Sequence, residues 1–446
     1  MPQRGNRIVN CETAKRRKRV AFYTFGCRLN QAETAIIEKG FAGGDFEVVD
    51  YRQGPDLLVV NTCTVTENGD ADTRRLVNRI ARDNPDVRIA LVGCQAQVQK
   101  EKLLDLPNID WVVGNARKME MARIVRESPW GTPPQLITPT IKKEPFTIPF
   151  PGVDARHTRA NLKIQDGCDF FCSFCEIPYA RGRARSRDFA DILDEAQHLT
   201  RAGHHELVLT GINIGTYREE ERDLVAVIRA LAEVPDLWRI RISSIEPTTI
   251  AHAVLEDMAQ SEKLCRHLHI PLQAGSEAIL SAMQRKYSVG EFRDFLMLAH
   301  RTIPGVCLGT DVIVGFPGED EAAFEESYAL LLDLPFAYFH VFSYSDRDHA
   351  KASSYEAALK VAPEVIKERS RRLRELSNRK RRVYQETFLG TEQLVLFEQH
   401  KKGVWSGLTD TYIRVEVRSE QALKNQLLPV RLERLAGQNV EGRLVD

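Results

Sequence analysis

Short apolar runs alternate with amphipathic stretches in two rounds along this chain, and one proline-rich segment separates the rounds. That alternation constrains the fold more than any other feature. In the first round strands are expected at residues 20–24, 57–61, 88–92 and 110–113, with helical patterns over 32–42 and 71–82. Strands that alternate with helices bury both faces of a parallel sheet. The class is therefore α/β, opening with a doubly wound parallel sheet. Residues 127–155 carry seven of the chain's 20 prolines and almost no period, the composition of a linker. Alternation then resumes, with strand-like runs at 161–165, 206–211, 239–244, 267–272, 307–314 and 337–342. Ile192, Leu193, Ala196 and Leu199 mark one face of a helix that Gly203 stops. Six β/α repeats fit a central partial (β/α)6 barrel, whose chemistry belongs at the carboxyl ends of its strands. A charged helix is expected from Pro363 to Tyr384, with nine basic and two acidic residues between Lys367 and Arg382. The tail alternates like a strand, as in 412–417, with Gly403 and Gly407 as turn signals, so it suits a small C-terminal all-β barrel. The expected units are 1–126, a linker at 127–155, 156–385 and 386–446, in keeping with about three domains for 446 residues.

Charge excludes one broad class. Lys plus Arg and Asp plus Glu are both 62, so any contact with a polyanion must come from local patches. No run of about 18 apolar residues is present and the first residues lack a signal-peptide core, so a cytoplasmic protein with no membrane span is expected. Reduced, clustered cysteines then point to metal or catalysis before disulfides.

Six of the nine cysteines fall into two sets. Cys168, Cys172 and Cys175 form C-x3-C-x2-C in a loop just after a strand, where Gly167 helps the backbone curl around one cubane cluster. Three thiolates on a 4Fe–4S cluster leave one iron open, where a substrate's amino and carboxylate groups can bind and receive an electron. A structural zinc loop is the competing reading, and it would want a fourth Cys or His nearby. Cys27, Cys63 and Cys94 each follow an expected N-terminal strand within a few residues. Parallel strands end on one edge, so these three thiols should meet at a crevice there, as a second cluster site. Cys11, Cys265 and Cys307 share no such pattern and read as structural.

The C-x3-C-x2-C loop after the first strand of a six-repeat barrel resembles the radical S-adenosylmethionine superfamily. With the earlier cysteine set, the chain is similar to the methylthiotransferase family over nearly its whole length. The segments that carry the likeness are LTGINIGTY (209–217), RISSIEP (241–247), HIPLQAGS (269–276), DVIVGFPGE (311–319) and HVFSYS (340–345). The tail resembles the TRAM RNA-binding module. The resemblance implies two 4Fe–4S clusters and S-adenosylmethionine, which serves both as radical source and as methyl donor. The barrel cluster would generate a radical that takes hydrogen from an unactivated carbon, and the N-terminal cluster would carry or supply sulfur. The implied partners are tRNA, through its anticodon loop, and an external electron donor such as flavodoxin or ferredoxin. GCRLNQAET (26–34), NTCTVT and RGRARSR (181–187) look most like the branch acting on threonylcarbamoyladenosine in tRNA. The isopentenyladenosine branch typically has a GCQMN-like first motif, and a third branch modifies a ribosomal-protein aspartate. Rivals outside the family are a two-cluster electron-transfer protein and a cluster-dependent maturase.

Further site expectations follow from strand ends. Gly211 and Asn213 could meet the methionine amino group, Ser244 and Glu246 the ribose hydroxyls, and Gly315 with Gly318 the adenine. Phe174 and Ile177 offer apolar contact beside the cluster, while His269 and Gln273, four apart on one expected strand, would border the cavity together. Arg181, Arg183, Arg185 and Arg187 form the best phosphate-binding patch, with the basic helix at 367–382 as a second footprint. Trp405 and Tyr412 could stack on bases or pack in a core.

Overall fold

In the computed structural model, which describes residues 16–65, 67–128, 130, 133–153 and 157–445, the first round of alternation forms a six-stranded parallel sheet. Its strands are β1 (Lys18–Thr24), β2 (Phe46–Val48), β3 (Leu57–Thr62), β4 (Arg88–Gly93), β5 (Ile109–Val113) and β6 (Gln135–Ile137), in the order β2-β1-β3-β4-β5-β6. Helices α1 (Arg28–Phe41), α2 (Glu67–Asp83), α3 (Cys94–Gln99) and α4 (Met121–Glu127) cover it. Successive residues serve opposite faces, as a pleated strand requires. Val20, Phe22 and Val59 pack with Ile37 and Phe41 of α1, whereas Ala21, Leu58 and Val60 pack with Leu76, Val77 and Ile80 of α2. Strands coated on both sides become continuously apolar, hence the fully buried run Leu57–Val60.

The proline-rich segment is more ordered than a linker. Gln135, Leu136 and Ile137 pair with Trp111, Val112 and Val113 as β6, Ile148 is buried, and Phe146 bridges to Arg187. The prolines of that stretch lie outside β6, so they remove none of its ladder donors.

The second round builds the barrel. Its six barrel strands are β7 (Ala160–Lys163), β10 (Glu206–Thr210), β13 (Arg239–Ile242), β14 (His267–His269), β15 (Cys307–Val314) and β16 (Tyr338–Ser343). Parallel pairing joins β7-β10-β13 and β14-β15-β16, and the bridges Ile240–Leu264 and Ser244–His269 connect the two halves. Short pairs β8 (Gln165–Asp166) with β9 (Arg185–Ser186), and β11 (Arg218–Glu219) with β12 (Arg222–Asp223), decorate the rim. Helices α5 (Ile177–Arg181), α6 (Phe189–Arg201), α7 (Leu224–Ala232), α8 (His252–Gln260), α9 (Glu277–Ala282), α10 (Val289–Thr302) and α11 (Glu321–Asp333) fill the crossovers. The expected helix face holds: Ile192, Ala196 and Leu199 of α6 are fully buried. Strand β14 ends at His269, however. Gln273 lies beyond it with φ +73°, so the expected shared face with His269 does not exist.

Helix α12 (Pro363–Glu386) leads into a closed barrel of β17 (Glu392–Lys401), β18 (Val404–Leu408), β19 (Arg414–Arg418), β20 (Leu427–Ala436) and β21 (Asn439–Leu444). Two buried arginines of β13 fasten that barrel to the central one. Arg239 donates to the carbonyls of Leu408 (2.9 Å) and Leu394 (2.7 Å), and Arg241 to those of Asp410 (3.0 Å) and Thr409 (3.1 Å). Among the described residues no helix is long and apolar enough to cross a membrane.

Candidate active site

The C-x3-C-x2-C loop is shaped by backbone that no side chain would permit. Gly167 has φ +71°, and a Cβ there would stand 2.1 Å from the Arg183 carbonyl oxygen. Across that close approach Cys168 N donates to Gly182 O, and Phe170 N donates to the Cys168 sulfur at 3.4 Å. The Arg285 guanidinium donates to the Cys172 sulfur at 3.3 Å and also holds Glu246 and the Tyr287 hydroxyl. Arg285 was not legible as a site residue. It lies in a loop after a helix, away from the strand ends where barrel chemistry is sought.

The N-terminal triad is built from three strand ends of one sheet edge. Cys27 caps the start of α1 after β1, Cys63 follows β3, and Cys94 begins α3 after β4. Between β1 and β3 the strand order reverses, which is where doubly wound sheets open a crevice. Gly26 (φ +94°) lets the first loop lie on the second, for a Cβ there would meet the Cys63 Cβ at 2.7 Å and its sulfur at 2.9 Å. The Asn30 amide ties the loops together by donating to Phe25 O and Thr62 O. Asn115 donates to the Cys94 sulfur at 3.6 Å and to Ala180 O of α5 at 2.7 Å.

The donors in each group fit a cluster better than a single ion. All six cysteines are free thiols. Burial pushes Cys63 and Cys175 up to about 12 and Cys168 up to about 11, and it raises Cys27 and Cys172 as well. Repulsion from the other thiols of the same triad adds to the rise at Cys27, Cys63, Cys168 and Cys175, so each set shares one locus. Cys27 keeps accessible surface, but that surface faces a cavity between the domains. Loading a metal must therefore release protons. Among the described residues, one group of three donors has all its atoms within 4.8 Å: His269, Asp311 and His340. Neither thiol triad is that tight, whereas a tetrahedral zinc would draw its sulfurs to roughly 3.8 Å from one another. Cys265 and Cys307 are buried against the C-terminal barrel, in keeping with a structural role, and Cys11 lies outside the described residues.

A cavity of about 400 Å³ joins the parts, a volume suited to a nucleoside-sized ligand. Cys27 and Arg28 line it from the N-terminal sheet, Gly211, Ser244, His269 and Asp311 from the central barrel, and Tyr412 from the C-terminal one. Inside, His269 Nε2 lies 3.0 Å from Asp311, and the Tyr338 hydroxyl contacts both His267 and His269. Tyr412 stacks on His267 with ring centres 4.3 Å apart, whereas Trp405 is a core residue of its own barrel. A smaller cavity of about 190 Å³ brings Phe174, Cys175, Ile177 and Gln273 together. Asn213 is buried beside Gln165, which accepts from its backbone N–H at 3.0 Å, and its side-chain Nδ2 has no partner among the described residues. Glu246 reaches the C-x3-C-x2-C loop but is engaged by Arg285. Gly315 and Gly318 form a turn in which Gly315 packs under Ile366 and Gly318 is exposed, and neither lines these two cavities.

The arginine patch is corrected more sharply. Arg181 and Arg187 have no exposed surface. Arg181 pairs with Glu33 (2.9 Å) and Asp166 (3.0 Å), and Arg187 with Asp191 (2.6 Å) and Glu195. Arg185 is mostly buried against Asp166, which leaves Arg183 as the exposed member. The pairing of β8 with β9 turns this stretch inward, where carboxylates wait. In the basic helix, Arg369 is likewise buried in an ion pair and Arg372 half-buried in one, whereas Arg371 and Arg382 stay exposed, like Arg183, in surface ion pairs.

Two buried charge clusters lock the triads in place, and neither was visible in the sequence. Glu33 of α1 accepts from Lys118, Lys163 (2.7 Å) and Arg181, which joins the sheet to the central barrel. Arg347 donates to Asp70 (2.7 Å), Thr64 (2.8 Å) and Glu176 (2.8 Å). Thr64 adjoins Cys63 and Glu176 adjoins Cys175, so one guanidinium fixes both loops.

Residues 162–331 match the Radical SAM superfamily, and residues 19–114 match an uncharacterized protein family, UPF0004. The chain is 36% identical over 440 residues to the threonylcarbamoyladenosine tRNA methylthiotransferase MtaB of Bacillus subtilis, covering 96% of each chain. It is 35% identical to the protein of the same name from Aquifex aeolicus, covering 89% of this chain and 96% of that one. Identity is 31% to the tRNA-2-methylthio-N(6)-dimethylallyladenosine synthase of Methylobacillus flagellatus, covering 96% and 99%. Among solved structures, the radical S-adenosylmethionine methyltransferase TsrM of Kitasatospora setae superposes with a TM-score of 0.55 at 13% identity, covering 73% of each chain, a likeness of fold alone.

Proposed function

This chain belongs to the radical S-adenosylmethionine methylthiotransferase family, and from that premise we propose that it acts on tRNA. The proposed reaction converts N6-threonylcarbamoyladenosine, next to the anticodon, to its 2-methylthio derivative. The observation that carries this reading is the single cavity that Cys27 and the barrel strand ends wall from two sides. Relatives named for threonylcarbamoyladenosine match at 36% down to 31%, against 31% for the dimethylallyladenosine relative, and the two at 36% and 35% support the choice of substrate.

Cys168, Cys172 and Cys175 would hold one 4Fe–4S cluster and Cys27, Cys63 and Cys94 the other, each leaving an iron free of protein thiolates. Once bound, the clusters and S-adenosylmethionine supply the one-electron chemistry, the sulfur and the methyl group. The polypeptide's own work is placement. Gln165 bonds the backbone at Ile212 and Asn213 and so fixes the strand end beside Gly211, where a Cβ would meet the Gln165 Oε1 at 2.9 Å. Phe174 and Ile177 provide an apolar wall that keeps water from reactive groups. The exposed Arg183 and the C-terminal barrel, which resembles the TRAM module, would grip the RNA. The electron donor would be a small external protein such as flavodoxin or ferredoxin, and the setting the cytoplasm.

The test is nucleoside mass analysis of tRNA from cells with and without the gene. Loss of the methylthio mark on threonylcarbamoyladenosine is expected. Loss confined to the dimethylallyl nucleoside, or intact tRNA, would overturn the reading.

A further inference from the structure

We propose that Arg28 reads the carboxylate of the threonylcarbamoyl group and so sets the substrate choice of this enzyme; the inference rests on the substrate reading above. Arg28 opens α1 immediately after Cys27, and its side chain lines the 400 Å³ cavity. Other arginines around the site are neutralised: Arg181 by Glu33 and Asp166, Arg241 by Glu206, Arg285 by Glu246. Arg28 forms no ion pair among the described residues. Its one side-chain hydrogen bond among the described residues runs from Nη2 to the Tyr412 hydroxyl at 3.0 Å. A half-buried guanidinium with most of its five donors unspent is a receptor for a planar carboxylate.

Tyr412 is built to hold it. The residue adopts φ +63°, a conformation that a non-glycine residue keeps only when its surroundings enforce it. Its ring stacks on His267, Arg241 holds the Thr409 and Asp410 carbonyls just before it, and its hydroxyl meets Arg28. The geometry of the base agrees. In adenine, C2 and the N6 substituent flank N1 on one edge, so a group that reads the substituent must lie beside the sulfur-supplying triad. Arg28 is covalently adjacent to Cys27. A dimethylallyl group at N6 would leave the guanidinium unpaired and partly dehydrated, a mismatch that polar sites reject strongly.

A tRNA phosphate is the other anion Arg28 could meet, and a binding experiment on the loaded enzyme with S-adenosylmethionine separates the two. Fluorescence anisotropy would follow anticodon stem-loops carrying threonylcarbamoyladenosine, unmodified adenosine or dimethylallyladenosine. The wild-type enzyme is expected to prefer the threonylcarbamoyl loop over the unmodified one by about 10- to 100-fold. Arg28→Gln should abolish that preference, Arg28→Lys should keep part of it, and Tyr412→Phe should weaken it. Iron content of each variant checks that the Cys27 site still loads, and Tyr412→Phe stays informative if Arg28→Gln does not load. Equal weakening of both loops by Arg28→Gln would assign the residue to phosphate and overturn the inference, as would a preference that survives. If the wild-type enzyme itself shows no preference for the threonylcarbamoyl loop, the substrate reading falls first, and Arg28's role falls with it.

Discussion

Glu33 is the point at which the two halves of the enzyme are most exposed to a single change. Its carboxylate has no exposed surface and accepts from Lys118 of its own domain and from Lys163 and Arg181 of the central barrel. Burial alone would push the carboxyl up, but Arg181, Lys118 and Lys163 together hold it well below the usual carboxylate range. Glu33→Gln keeps the shape and removes the charge, leaving three buried cations with Asp166 as the remaining buried acid of the cluster. Breaking one partner out of such a network costs about 3–5 kcal/mol. At about 1.4 kcal/mol per decade, amide protection in α1 and β7 should fall by roughly two to three and a half decades at neutral pH. Native-state hydrogen exchange followed by mass spectrometry reads this directly. A depressed folded pKa places the stabilisation above the unfolded value of about 4.3, and it is lost as pH falls through the folded value. The gap between wild type and variant should therefore close in acid. Protection within tenfold of wild type at neutral pH would refute the claim that this cluster binds the sheet to the barrel.

Three further outcomes are expected. Gly26→Ala drives a methyl into Cys63 at a φ of +94°, so reconstituted iron should drop from about eight to about four per chain, counted by metal analysis. Arg183→Ala should lower tRNA affinity and reduce the slope of log affinity against log salt by about one, whereas Arg187→Ala, which strands Asp191 and Glu195, should lower thermal stability and leave that slope alone. Burial pushes Glu319 up to about 7 against the pull of Arg369, so its contribution is full below an unfolded value of about 4.3 and is lost as pH rises through 7. Glu319→Gln should flatten that decline, about 3 kcal/mol at most, in denaturant midpoints compared at about pH 5 and about pH 8.

The long strands were legible because burial on both faces writes continuous apolar runs into the chain. Strands β2 and β6 were not: each has three residues, with one buried in β2 and none fully buried in β6, too little to register as a run. The N-terminal cysteine set could be placed because loops after parallel strands share an edge whatever the helices between them do, whereas the C-x3-C-x2-C set sits on a single loop and is legible from its spacing alone. The arginines failed for the opposite reason. An Arg-x-Arg-x-Arg stretch looks like one face of an exposed strand, whereas Glu33, which draws Arg181 inward, lies far upstream, and Asp191 and Glu195, which draw Arg187, sit on the helix that follows.

Tyr412 belongs to the last module of the chain, yet its ring lies against His267 in the middle of the molecule, and the carbonyls just before it, at Leu408, Thr409 and Asp410, are gripped by Arg239 and Arg241. The tail is thus more than an appendage: it forms one side of the cavity proposed to take the substrate. A protein shortened before β17 would have a chamber open to water on that side, and its lost turnover would say little about how tightly the missing part grasps RNA.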